Sequence, residues 1–333
     1  MAGVYYPSNQ HILITGAAGF IGAHLGNRLV TLGNKVRGID NFYHSSGQKL
    51  DFRCETGDVR DEAHLSFVAK DSDMVVHLAA VISIDNSIEF PENCLDINTT
   101  GTMRVLEIAR RFDMKVVFAS SSEVYGPTQG TSMSESHPLD AQSPYAATKV
   151  FGDRLCNAYK ETYGMHINTV RLFNTFGPYQ ASDGYGGVIA KFVRQVLDGE
   201  PMTIYGDGSQ ERDYLYVSDA VEAYLLALTQ EWDGPVNFAS GNPVSILDIA
   251  RKIESLTYIH SPRPKSDSPK NVWEFSKPRP ADIRKLWGNS DKARREVGWE
   301  PKIAFDDGLR MYVDWAVNEK NYPQNLRSIP AHV

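Results

Sequence analysis

The segment His11–Gly22, HILITGAAGFIG, runs an apolar stretch, Ile12 to Ile14, straight into a turn with glycine at positions 16, 19 and 22. The first part reads as a buried strand, and Phe20 and Ile21 open a helix. Glycine suits Gly16, Gly19 and Gly22 because the backbone must turn tightly there. It also lets a pyrophosphate approach bare N–H groups at the positive end of a helix. The next apolar run, KVRGID from Lys35, ends on Asp40 and is followed by Asn41. A carboxylate at that place can accept hydrogen bonds from an adenosine ribose, and it would repel the extra phosphate of NADP. The pattern therefore points to NAD as cofactor, the competing reading being that Asp40 merely opens a turn. GDV, Gly57 to Val59, follows a third strand and would bring Asp58 toward the adenine amino group, unless Asp58 is simply a solvated loop acid.

Further apolar runs bounded by polar turns follow at MVVHLAA from Met74, KVVFASS from Lys115 and INTVRLF from Ile167. Stretches with helical spacing alternate with them, including NTTGTMRVLEIARRF from Asn98 and SPYAATKVFGDRLCNAYKETYG from Ser143. Pro144 suits a first helical turn and Gly164 a helix end. Repeated strand–helix–strand order implies an α/β fold: a Rossmann-type doubly wound parallel sheet with helices on both faces. The second half crowds Gly and Pro into YGGV, IYGDGSQ and the polar segment from His260. That composition suggests a smaller α/β substrate-binding domain. The expected division gives residues 1–175, with a returning segment at about 213–240, to the dinucleotide. Residues 176–212 and 241–333 would then bind the substrate.

The chain has 333 residues, 42% of them hydrophobic and 23% charged, which is enough for a large domain and a smaller one. A net charge of −7 gives no basic footprint for nucleic acid or an anionic membrane. The three cysteines, Cys54, Cys94 and Cys156, form no CxxC pair, so neither a disulfide framework nor a metal site is expected. The first ten residues, MAGVYYPSNQ, have no basic and apolar leader, and no apolar run approaches the roughly 18 residues needed to span a bilayer. The expectation is a soluble, cytoplasmic protein.

Two further patterns carry chemistry. YAATK places Tyr145 four residues before Lys149, one turn apart on a helix face. Taking a hydride from an alcohol carbon requires the hydroxyl proton to leave too, and a tyrosine with a pKa near 10 is a poor base at neutral pH. An ammonium one turn away favours the phenolate. Upstream, SSSEVYG, Ser120 to Gly126, sets the carboxylate of Glu123 directly after a run of hydroxyls. Hydride transfer alone has no use for that carboxylate.

The GxxGxxG pattern, HLAA at His77–Ala80, the serine run and YxxxK together resemble the extended short-chain dehydrogenase/reductase family. Within it, the chain is similar to the nucleotide-sugar epimerases, 4,6-dehydratases and decarboxylases, from about residue 10 to residue 315. RLFNTFGP from Arg171, YGDGSQERDYLYVSD from Tyr205 and RPAD from Arg279 are similar to that group's substrate-domain landmarks. The resemblance implies that Val59, Leu78, Ala79 and Ala80 line the cofactor. It gives Ser121 the role of hydroxyl partner to Tyr145, and Ser122 a place against the substrate. Asn174 and Arg212 would hold the sugar-nucleotide diphosphate, with Arg279 and Asp282 near the phosphate and nucleoside ribose. It further implies a homodimer paired through helices near residues 91–112 and 143–163.

In the family's 4-epimerases the positions after the catalytic Ser/Thr are small or neutral. In its 4,6-dehydratases they read Thr-Asp-Glu, the glutamate removing the C5 proton and the aspartate protonating the departing 6-hydroxyl. Here the run is Ser121-Ser122-Glu123, with the glutamate kept and the aspartate replaced. The resemblance thus places 4,6-dehydratase or related C5 chemistry ahead of 4-epimerase, with uronate decarboxylase third. A dinucleotide-sensing protein without turnover is the alternative from another class, and the Ser121, Tyr145 and Lys149 set argues against it.

Overall fold

The computed structural model describes residues 6–182, 187–260, 272–278 and 283–318. In the first half, strands β1 (His11–Thr15), β2 (Lys35–Asp40), β4 (Met74–His77), β5 (Lys115–Ser121) and β6 (Ile167–Leu172) coincide with the apolar runs, while β3 (Arg53–Thr56) is the polar edge strand RCET. Helices α1 (Phe20–Thr31), α2 (Glu62–Ala69), α3 (Ile84–Glu89), α4 (Pro91–Leu95), α5 (Gly101–Phe112) and α6 (Pro144–Tyr163) fill the crossovers. Helix α6 begins as its sequence suggests: Ser143 Oγ accepts the Ala146 N–H at 3.1 Å, Pro144 occupies the first turn, and Gly164 follows the last residue.

Beyond β6 the chain makes β7 (Asn174–Phe176), α7 (Val188–Asp198), β8 (Met202–Tyr205) and β9 (Glu211–Tyr216). It then forms α8 (Val217–Thr229) and β10 (Pro235–Phe238), which pairs in parallel with β6. The remaining elements are β11 (Pro243–Ser245), α9 (Ile246–His260), β12 (Trp273–Ser276), β13 (Lys285–Leu286) and α10 (Phe305–Asn318).

The main sheet has seven strands in the order β3-β2-β1-β4-β5-β6-β10, all pairs parallel. Strand order reverses between β1 and β4, and in such sheets the crevice beyond the strand ends at that point is where ligands bind. Alternation along the strands feeds two cores. Ile12, Ile14, Val76, Val117 and Val170 face α1 and α8 on one side, while Leu13, Val75, Val116 and Phe118 face α2, α5 and α6 on the other. Each such side chain contributes roughly 1.5–3 kcal/mol when fully buried. A smaller sheet, β11-β9-β13 with β7 also on β9, and the parallel pair β12–β8 stand beyond the carboxyl ends of the large one.

One expected helix differs at its start. The run from Asn98 is entered through a five-residue π-helical segment, Asp96–Thr100, before α5 begins at Gly101. Such wide turns are frequent at functional sites.

Candidate active site

The glycine turn is built for a close visitor. Gly16 adopts φ +69°, and a Cβ there would lie 2.7 Å from the Ala79 backbone nitrogen; a Cβ on Gly22 would lie 2.2 Å from the Gly16 carbonyl oxygen. Gly19 caps α1 without a side chain, and the first turn of α1, opened by Phe20 and Ile21, contains no acidic residue. The positive end of that helix is therefore available to an anion. Leu78, Ala79 and Ala80 leave β4 beside it: Leu78 N–H donates to the Thr15 carbonyl at 3.1 Å and Ala79 N–H to Thr15 Oγ1 at 3.2 Å. His77 is fixed between Thr15 Oγ1 at 2.7 Å and Thr102 Oγ1 at 3.1 Å. Burial, reinforced by the charge of Lys149, pushes its pKa down to about 3, so it stays neutral.

Asp40 opens the turn at the tip of β2 and is tied to the glycine loop. Its Oδ1 accepts the Phe42 N–H at 2.7 Å, which opens the turn, and its Oδ2 accepts the Ala18 N–H at 2.9 Å inside the glycine loop. Burial raises its pKa against these backbone bonds. Neighbouring Asn41 is exposed and accepts the Tyr43 N–H at 3.0 Å. Asp58 has a partner that the sequence reading did not give it. Arg60 donates to it at 2.6 and 3.0 Å, holding its carboxyl below the usual range, and reaches on to Asp96 at 2.6 Å. Val59 packs against Gly101, where a Cβ would lie 2.7 Å from Val59 Cγ2.

Ser121 ends β5, and Tyr145 and Lys149 lie in the first two turns of α6, all three buried. Burial lifts the Tyr145 phenol above its ordinary pKa; a hydrogen bond with Ser121 opposes this, and the negative charge of Glu123 adds to it. Burial pushes Lys149 the other way, down to about 8, with the charge of Asp153 as the main opposing influence. Lys149 Nζ donates to the Ala119 carbonyl at 2.8 Å and lies 5.4 Å from the centre of the Phe118 ring.

Glu123 is half-buried on the 3₁₀ turn Ser122–Tyr125, and its N–H donates to Ser121 Oγ at 3.2 Å. Ser121 thus serves the turn as well as Tyr145. Ser122 is buried. Sequence reasoning missed Asn98, in the π-helical segment. Its Oδ1 accepts the Val81 N–H at 2.8 Å, while Nδ2 donates to the Val81 carbonyl at 3.0 Å and to Thr148 Oγ1 at 2.9 Å. It ties the segment after β4 to α6 beside Lys149. The available signal was an asparagine at a core-facing position of an amphipathic pattern.

On the substrate side, β7 pairs with β9, Asn174 opposite Tyr214. Asn174 is thereby placed two residues along the ladder from Arg212, and its Nδ2 donates to the Asp213 carbonyl at 3.3 Å. Arg212 is half-buried, with Nη1 donating to the Glu211 carbonyl at 3.0 Å. Arg279 and Asp282 lie outside the described residues. Among the described residues no cluster of His, Cys, Asp or Glu could hold a metal ion, and no helix is long and apolar enough to cross a membrane.

The cradle that any side chain would fill, the uncountered helix end and Asp40 at the tip of β2 fit a bound dinucleotide. A family model for GDP-mannose 4,6 dehydratase matches residues 13–312. A UDP-N-acetyl-alpha-D-glucosaminuronate decarboxylase from Bacillus cytotoxicus is 34% identical, over 92% of this chain and 97% of its own length. A UDP-glucose 4-epimerase from Mycolicibacterium smegmatis is 33% identical, over 92% and 98%. The crystal structure of a dTDP-glucose 4,6-dehydratase from Streptomyces venezuelae, with NAD bound, superposes with a TM-score of 0.85 at 27% identity, covering 94% of this chain and 98% of that one. NAD is accordingly the cofactor, and the chain belongs to the extended short-chain dehydrogenase/reductase family, among its NAD-dependent nucleotide-sugar epimerases, dehydratases and decarboxylases.

Proposed function

We propose that the protein is a nucleotide-sugar 4,6-dehydratase working through a 4-keto sugar. The observation that carries this reading is the position of Glu123. It follows Ser121 on a tight turn, and its charge bears on the Tyr145 phenol. In this reading a carboxylate there serves the sugar carbon next to the one being oxidised.

In this reading Ser121 and Tyr145 hold the 4-hydroxyl, and Tyr145 takes its proton with Lys149 stabilising the phenolate. NAD, when bound, would supply the acceptor for the hydride from C4 and its donor to C6 once water has left, with a proton returned to C5. The 4-ketone acidifies the C5 proton, which Glu123 removes. Loss of the 6-hydroxyl follows as water, and Ser122, a poor acid, leaves the proton for that step to another group. Asn174 and Arg212, with Arg279 and Asp282, hold the nucleotide diphosphate. Gly16, Gly19, Gly22, Asp40 and Asp58 belong to the cofactor side. On this division residues 1–175 and about 213–240 serve NAD, and 176–212 with 241–333 serve the substrate.

A 4-epimerase is the second reading, favoured by the absence of an aspartate at Ser122 and by the Mycolicibacterium relative. Decarboxylation of a nucleotide uronic acid stands third, with the Bacillus relative in its favour. Mass spectrometry after incubation with a panel of nucleotide sugars tests the choice: the dehydratase loses water. Loss of carbon dioxide, or a new epimer at unchanged mass, overturns it. We also infer a homodimer, because Ile88, Phe90, Leu95, Met103 and Phe151 are exposed along α3 to α6. The unpaired cysteines accord with a cytoplasmic location.

A further inference from the structure

Behind the active site lies a buried polar chain that neither the cofactor nor the sugar explains. Tyr125, last residue of the turn bearing Glu123, is fully buried. Its hydroxyl donates to Asn237 Oδ1 at 2.6 Å and accepts from Arg171 Nη1 at 2.7 Å. Arg171, on β6 and itself buried, donates through Nε to Asp153 Oδ2 at 2.8 Å, with Nη2 at 2.5 Å from the same oxygen. Asp153 lies on α6, one turn beyond Lys149 and two beyond Tyr145. Asn237, opposite Arg171 on β10, donates its backbone N–H to Glu135 Oε1 at 2.8 Å and its Nδ2 to the Met133 carbonyl at 2.9 Å.

The chain therefore runs from the helix of Tyr145 and Lys149, through β6, to the turn of Glu123, and on to the segment at residues 133–135. A buried guanidinium is pinned by its carboxylate, and a phenol that bridges it to an amide has little freedom to shift. Ser121 is held by the end of β5 and by its bond with Tyr145, and it also accepts the Glu123 N–H at 3.2 Å. The network thus braces the far end of the turn that bears Glu123, while its Asp153 end meets α6 one turn beyond Lys149.

We propose that the Tyr125 hydroxyl is a positioning group for Glu123, setting the carboxylate over C5 while leaving the oxidation at C4 to Ser121, Tyr145 and Lys149. The inference rests on Glu123 being the C5 base. Tyr125→Phe keeps the ring against Phe173 and His137 and removes only the hydroxyl. Arg171→Lys keeps a charge for Asp153 but gives up the planar fork that reaches Tyr125.

The test uses NAD-loaded enzyme with dTDP-glucose and UDP-glucose in heavy water. It measures the single-turnover rate of nicotinamide reduction and the rate of deuterium entry at C5. Both variants should reduce the cofactor within about twofold of the parent and exchange C5 at least about tenfold more slowly, with unchanged NAD affinity. Equal loss in both steps, or unimpaired exchange, overturns the positioning role. Should Tyr125→Phe fail to fold, Arg171→Lys decides by the same two rates; if both fail to fold, the hydroxyl serves folding and the proposal falls. Glu123→Gln, run in parallel, separates the two ideas. If it exchanges normally, the C5-base reading fails; if it alone is blocked while Tyr125→Phe exchanges normally, only the positioning role fails.

Discussion

Lys149 Nζ lies 5.8 Å from the centre of the Tyr145 ring, one turn along the same helix. Burial drives the two groups in opposite directions, the phenol up and the ammonium down to about 8. Each shift favours the neutral form: the phenol keeps its proton, while the lysine keeps its charge only below about pH 8. A phenolate beside an ammonium is the arrangement in which both can ionise, because each charge stabilises the other in a poorly solvated site.

Replacing Tyr145 by Phe removes the proton acceptor and keeps the ring. Stopped-flow reduction of bound NAD by nucleotide sugar should slow by roughly two orders of magnitude or more. Substrate affinity, set by the diphosphate contacts, should change far less. Near-native turnover in the variant would assign Tyr145 to packing.

The depressed pKa of Lys149 also leaves a mark on stability. Below about pH 8 the lysine is protonated in both folded and unfolded chains, and its burial weakens the fold by a constant amount. Between about 8 and the ordinary value of 10.5 the unfolded chain binds more protons than the folded one, so this penalty fades as pH rises. Urea unfolding of the parent and Lys149→Met should therefore converge, in the parent's favour, across that window. Parallel pH profiles would show that Lys149 keeps its ordinary pKa.

Asp40 should enforce the choice of NAD over NADP. Its carboxylate is half enclosed and already receives two backbone N–H bonds, so it cannot swing away from a phosphate on the adenosine ribose. Asp40→Asn keeps one acceptor oxygen and removes the charge. It should narrow the preference by about tenfold, as measured by calorimetry with each nucleotide. Equal affinities in the parent would remove this role.

What the sequence displays and what it hides divide along contact distance. The glycine turn and the capped helix from Ser143 to Gly164 are local patterns, and their residues meet within one or two turns. The bond between Tyr125 and Arg171 joins positions 46 apart, and nothing local to either marks it. Asn98 escaped because its partners, Val81 and Thr148, lie 17 and 50 residues away in the chain. The pairing of Asp58 with Arg60 was close enough to see, but an acid two residues from an arginine occurs in many loops. Asn174 and Arg212 come into register through the β7–β9 ladder, which a three-residue strand and its polar-ended partner, 35 or more residues apart in the chain, do not announce.

The identity of the C5 base is the central claim, and isotope exchange addresses it most directly. Enzyme, NAD and dTDP-glucose in heavy water should yield a 4-keto-6-deoxy sugar carrying solvent deuterium at C5. Glu123→Gln preserves the shape of the side chain and much of its hydrogen bonding but cannot take a proton. That variant should form reduced cofactor and the 4-keto sugar, then stop, with no deuterium at C5. A parent enzyme that leaves C5 unexchanged and the sugar mass unchanged, together with a fully active Glu123→Gln, would contradict the account and identify a 4-epimerase instead.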